Sequence, residues 1–173
     1  MVQKLHMNSK TKIIDAYVEL RLKNKDVKPL IKEICALAKV NKTTFYRNYK
    51  DVNDLIVALR EKTSSLIING INSENMFTLN PEAFFNIAGK NVLSNLKIIE
   101  ACSLDGQGQL NDLVQKKLIN ILKENKDYQI DEIKIDFITG GTLKVITNLS
   151  KYSSYTSLEQ LKDILSDYIR RLI

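Results

Sequence analysis

Apolar residues recur every three to four positions along most of the chain, the spacing that gathers them on one face of an α-helix. The first such run starts near Ser9 or Thr11 and extends to about Lys23, with Ile13, Tyr17 and Leu20 on one face and Ile14 and Val18 beside them. Residues 24–28 are polar and loop-like, and Pro29 suits the first turn of a second helix, where its missing N–H costs little. That helix presents Ile31, Ile34, Cys35 and Ala38. After the short break Lys39-Val40-Asn41, Asn41 is a suitable N-cap for a short third helix over residues 42–49. Asp51 caps a fourth, which carries Leu55, Ile56, Leu59, Leu66 and Ile67 and ends near Gly70.

Residues 71–80 read as a loop closing on Asn80-Pro81, a cap followed by a proline at the first helical position. A helical region follows to about Ser103, as one helix or as two, because Gly89 lies inside it. The run Asp105-Gly106-Gln107-Gly108 predicts a turn. Leu110, Leu113, Val114, Leu118, Ile121 and Leu122 then form an apolar stripe, and residues 125–131 read as a loop. Over residues 133–149, Ile133, Ile135 and Phe137 alternate with Lys134 and Asp136 in a strand-like way. The segment is nevertheless read as a helix, because it is long and has no partner strands. Its Gly140-Gly141 pair costs about 1 kcal/mol per glycine in a helix, which makes sense where another backbone packs closely; a kink is the alternative. The last helix, with Leu158, Leu161, Ile164, Leu165, Tyr168, Ile169 and Leu172, is strongly amphipathic.

Composition narrows the function classes. Of 173 residues only 6 are Gly and 2 are Pro, which argues against disorder and against a turn-rich all-β fold. No apolar run approaches a membrane span, and residues 1–12 are polar and basic, so the expected compartment is the cytoplasm, with no membrane partner. Cys35 and Cys102 stand apart with no Cys/His cluster around them, and both read as small buried apolar residues. The lone His6 lies in an N-terminal arm, and there is no GxGxxG run or P-loop. No metal, cofactor or catalytic residue is expected, and an enzyme is disfavoured. The charge is uneven: residues 1–62 hold 14 basic and 7 acidic side chains, whereas the remainder is nearly balanced. A compact basic module suits a polyanion, because each phosphate it neutralises releases counterions.

Residues 29–55 combine these signals: a helix, a tight turn, a short helix, a cap and another helix. This is the order by which a helix-turn-helix places its second helix in the DNA major groove. Ile34, Cys35, Ala38, Val40, Phe45 and Tyr49 fit buried positions. The opposite face of the short helix carries Lys42, Thr43, Thr44, Tyr46 and Arg47, types suited to phosphates and base edges. Asn41 and Lys50 flank them; Lys28 and Lys32 are either solvated charges or phosphate contacts. Phe84, Phe85, Phe137 and Tyr128 are expected in the core first and in a ligand pocket second.

The stretch Ile34-Cys35, Ala38, Val40, Lys42-Thr43-Thr44-Phe45-Tyr46-Arg47-Asn48-Tyr49, Asp51 and Leu55 resembles the DNA-binding domain of TetR-family transcriptional regulators. The Ile-Cys pair and the Thr-Phe-Tyr-Arg tetrapeptide are most similar to a short-chain branch that includes dihydroxyacetone-kinase operon activators. Ile13-Ile14-Asp15-Ala16 resembles the family's first helix, and Phe137-Ile138-Thr139-Gly140-Gly141 the branch's penultimate one. Three positions depart from the pattern. Lys39 stands where the family usually has Gly, so the turn is expected to be strained or altered. Asn48 replaces a usual His, and Val52 replaces a Lys that Lys50 can substitute.

The resulting expectation is an all-α protein: an N-terminal three-helix helix-turn-helix DNA-binding domain (1–50), a connecting helix (51–70) and a helical C-terminal regulatory and dimerisation domain (71–173). The resemblance implies a homodimer built by the last two helices, with Phe137, Gly140, Gly141, Leu161 and Leu165 at the interface. Its two heads would lie about 34 Å apart on a pseudo-palindromic operator in double-stranded DNA. A small-molecule effector or a partner protein bound by the C-terminal domain would control it. The alternative is a protein-interaction module on the same fold with little or no effector pocket.

Overall fold

Four helix starts are held by asparagine or aspartate side chains. In the computed structural model, which describes residues 8–74, 76, 78–124, 132–148 and 157–172, Asn8 accepts from the Lys10 amide at 2.9 Å and opens α1, Ser9–Lys23. Helix α2, Ile31–Ala38, leads through a tight turn to α3, Lys42–Asn48, where Asn41 accepts from Thr44 N at 2.7 Å. Asp51 accepts from Asp54 N at 2.8 Å and starts α4, Val52–Ile67. Asn80 accepts from Ala83 N at 3.1 Å, with Pro81 as the first residue of α5, Pro81–Ser94. Each such cap satisfies an amide that the helix itself cannot, typically contributing about 1 kcal/mol. Helices α6, Leu96–Leu104, α7, Gln107–Lys123, α8, Glu132–Thr147, and α9, Leu158–Leu172, complete an all-helical set with no strand among the described residues.

Helices α1 to α3 pack around Ile13, Tyr17, Ile34, Ala38 and Phe45, closed from below by Leu55 of α4. The same core continues into the rest of the molecule through Leu59, Phe84, Ala88, Val92, Cys102, Leu110, Val114 and Leu118. Helix α4 packs on α7 and α1 on α6, while α9 packs across α5 and α8. The three-helix unit is therefore seated on the remaining helices, not tethered by α4 alone.

The structure corrects several expectations. Pro29 precedes the α2 N-cap, Leu30, so it lies outside the first turn; Glu33 fills the capping role by accepting from Leu30 N at 2.8 Å. The helical region after Pro81 is two helices, and the break falls at Asn95, not at Gly89. The Asn95 carboxamide turns back to donate to Asn91 O at 2.7 Å, the local competition with the backbone that makes asparagine a helix terminator. Gly108 lies inside α7; the turn is carried by Asp105 and Gly106. The alternating segment after Ile133 is helical, as its length suggests. Phe84 and Phe85 are buried edge to face at 5.3 Å between ring centroids, whereas Phe137, expected in the core, is 71% exposed. His6, Tyr128 and the loop expected over 125–131 lie outside the described residues.

Candidate nucleic-acid interface

Helix α2 ends in a left-handed residue. Lys39 has φ 53° and ψ 46°, its amide donates to Ala36 O at 3.3 Å, and the Val40 amide donates to Cys35 O at 3.0 Å. This is the Schellman closure that glycine ordinarily serves. Of the two expectations, a strained turn or an altered one, the first holds: a lysine occupies the left-handed position, at a cost of about 1–2 kcal/mol. The turn delivers α3 with one face against the core and the other free.

On the inner face, Phe45 and Tyr49 are buried, with ring centroids 5.9 Å apart. On the outer face Lys42, Thr43, Tyr46 and Arg47 are exposed and Thr44 is half-buried. Asn41 is exposed, but its Oδ1 is committed to the cap. Lys50 is exposed after the helix, its amide donating to Asp54 Oδ2 at 2.9 Å. Lys28 lies in the exposed loop before α2 and Lys32 on the outer side of α2's first turn. Among the described residues none of Lys28, Lys32, Lys42, Arg47 and Lys50 is ion-paired, so all five cations are available to a polyanion.

The other two departures are also placed. Asn48 does not point outward: its Nδ2 donates to Thr44 O at 2.7 Å within its own helix. Val52 opens α4, half-buried against the core, so it offers nothing to a phosphate. A residue that sequence reasoning misses is Lys10, whose Nζ lies 5.8 Å from the centre of the Tyr49 ring, bringing a further cation to the end of α3. Only packing of α1 on α3 reveals it.

Both thiols are buried. Burial pushes the Cys35 thiol up, partly offset by Lys42. Burial likewise pushes Cys102 up to about 11, and its sulfur lies 3.2 Å from the Thr63 hydroxyl. Neither has the lowered pKa of a reactive cysteine. No group of three or more His, Cys, Asp or Glu that could hold a metal occurs among the described residues, and no helix of the described residues is long and apolar enough to cross a membrane.

At the opposite end, α8 and α9 enclose an open apolar groove of about 470 Å³, lined by Phe137, Gly141, Val145, Leu165 and Tyr168 among others. Gly140 and Gly141 are exposed, and nothing lies within 4 Å of a Cβ built on either, so no backbone of the described residues makes the close approach expected there. Leu161 and Leu165 are half-buried and packed against the protein's own core.

The arrangement of the described helices matches known structures nearly end to end. A fatty acid degradation regulator FadR from Bacillus halodurans aligns with a TM-score of 0.68 at 18% identity, covering 96% of each chain. A TetR family transcription regulator, so described, from Shewanella sp. PV-4 aligns at 0.59 and 11% identity, covering 92% of this chain and 96% of that one. The chain shares the fold of these two proteins. The dihydroxyacetone kinase operon activator DhaS shares it, with a TM-score of 0.54 at 18% identity over 95% of this chain and 96% of its own. No protein-family model and no curated protein matches the chain.

Proposed function

We propose that this protein is a sequence-specific, double-stranded DNA-binding transcriptional regulator that acts as a homodimer and is controlled through its C-terminal helices by a small molecule or partner protein. The observation that carries this reading is the outer face of α3. Lys42, Thr43, Tyr46 and Arg47 stand exposed there, with both cations unpaired among the described residues, while Phe45 anchors the helix from beneath. The names of its structural neighbours point the same way. In this reading residues 1–50 are the DNA-binding head, 51–70 the connector and 71–173 the regulatory and dimerisation body. Asn41, Lys42, Thr43, Thr44, Tyr46, Arg47 and Lys50 meet the duplex, and Lys28 and Lys32 its flanking phosphates.

The homodimer is supported by the open face of α8 and α9. Exposed Phe137 and Tyr168 and the uncovered Gly140-Gly141 pair are what a second copy would bury. Two heads carried by a two-fold dimer read half-sites about one helical turn apart.

The test is selection of duplexes from a random pool by the full-length protein, followed by gel-shift titration. Enrichment of a pseudo-palindrome, bound at least about a thousandfold more tightly than unrelated duplex, is the expected result. Binding with no sequence preference, or none, overturns the reading and leaves the protein-interaction module on the same fold.

A further inference from the structure

Tyr17 and Arg21 lie one turn apart on α1, and both reach out of the three-helix unit to Asp105, in the corner between α6 and α7. The Tyr17 hydroxyl donates to Asp105 Oδ2 at 2.7 Å, and Arg21 Nε donates to Oδ1 at 3.0 Å. Arg21 Nη2 donates to the Leu104 carbonyl at 3.0 Å, and Nη1 donates to the carbonyls of Asn24 and Lys25, so every guanidinium nitrogen is engaged. The Arg21 and Asp105 side chains are 6% and 0% exposed. From α4, Arg60 donates to the backbone carbonyl of Asp105. Gly106 follows at φ +127°, where a Cβ would stand 3.2 Å from Arg60 Nη2, so the corner admits only glycine comfortably. Three elements of the molecule thus meet on one residue.

Such a cluster contributes little net stability, because removing both charges from water offsets their attraction. What it does contribute is geometry. Apolar faces of two helices tolerate small slides, whereas a planar guanidinium with every nitrogen engaged tolerates very few.

We propose that Asp105 is a positioning residue for DNA binding: through Tyr17 and Arg21 it sets the angle at which the head leaves the body, and with it the spacing of the two heads in the dimer. This rests on the reading of the protein as a dimeric DNA-binding regulator. Loosening the cluster leaves each head intact and removes the constraint between heads, so a single half-site is bound as before while the two-headed complex weakens. Asp105 lies far from α3 in sequence and acts only through α1.

Full-length Asp105→Asn and Tyr17→Phe variants test this against the duplex that the wild-type protein selects. A companion series changes the half-site separation by one or two base pairs, and one duplex carries a single half-site. Asp105→Asn is expected to lose about tenfold in affinity for the best duplex, within the usual range of coupling between sites, and to flatten the dependence on separation. Its affinity for the single half-site stays unchanged, and Tyr17→Phe falls between it and the wild type. Amide hydrogen exchange in α1 speeds up while that in α7 does not. Folded variants that keep the wild-type affinity and separation optimum overturn the proposal, as does an equal loss on the single half-site, which would mark damage to the head itself. If Asp105→Asn does not fold, Tyr17→Phe decides by the same measures. If the wild-type protein selects no duplex, the DNA-binding reading falls first. The exchange measurement then still decides whether Asp105 holds α1: unchanged protection of α1 in a folded variant overturns that too.

Discussion

Phe45 and Tyr46 are neighbours in sequence, with rings 5.6 Å apart and nearly perpendicular, yet Phe45 is 0% exposed and Tyr46 55% exposed. One residue step of about 100° on the helix separates a core anchor from a surface aromatic. Substituting them should separate stability from binding. Phe45→Ala should cost about 3–5 kcal/mol, enough to unfold the head. Tyr46→Ala should move stability by no more than about 0.5 kcal/mol while weakening binding to the selected duplex. Thermal melts beside gel-shift titrations check the pair; a Tyr46→Ala variant that binds as tightly as wild type removes Tyr46 from the interface.

Arg47 and Lys50 are exposed and unpaired among the described residues. If each neutralises a phosphate, then replacing either with Ala should reduce the slope of log affinity against log salt by about 1. Titrations at several salt concentrations measure this. A slope that stays the same means that the side chain does not meet the backbone of the duplex.

Lys39 is held at φ 53° to close α2. Lys39→Gly removes a left-handed strain of about 1–2 kcal/mol, less the greater freedom glycine gives the unfolded chain. The net expectation is stabilisation by up to about 1 kcal/mol, with Lys39→Ala giving none. Denaturant midpoints of the two variants decide it.

Alkaline pH should weaken the fold through two tyrosines. Burial, with the Asp54 carboxylate adding to it, raises the Tyr49 phenol to about 12. Burial, and then the hydrogen bond to the Asp105 carboxylate, pushes Tyr17 well above the usual tyrosine range. In the unfolded chain both titrate near about 10. Their contribution is therefore complete below about pH 10 and is lost as pH rises through the folded values, because the unfolded chain gives up protons that the folded one keeps. The thermal midpoint of the wild type should fall further than that of Tyr49→Phe between about pH 10 and 12; parallel curves would rule this out.

Phe137 and Tyr168 line the open groove of α8 and α9. Phe137→Asp should convert a dimer into a folded monomer, seen by sedimentation, and weaken binding to a two-half-site duplex more than to a single half-site. A variant that stays dimeric places the interface elsewhere.

Much of this protein is legible along the chain. Asn41 capping Thr44, Asp51 capping Asp54 and Pro81 opening α5 are interactions within three residues, so residue type and spacing suffice to read them. The same holds for the two faces of α3, which follow from helical periodicity. The left-handed turn at Lys39 was legible in position but not in outcome, since the surrounding helices hold a lysine where glycine is easier. What only the tertiary structure decided lies between distant segments. Asp105 in a turn says nothing of Tyr17, 88 positions away, until α1 packs on α6. Lys10 reaches Tyr49 only because α1 passes the end of α3. Phe137, apolar and expected inside, stands 71% exposed, while Ile138, the next residue, is buried. Local hydrogen bonds and periodicity specified the helices and the face that α3 presents; long-range packing, which no short window of sequence encodes, decided how the three-helix unit is seated on the rest.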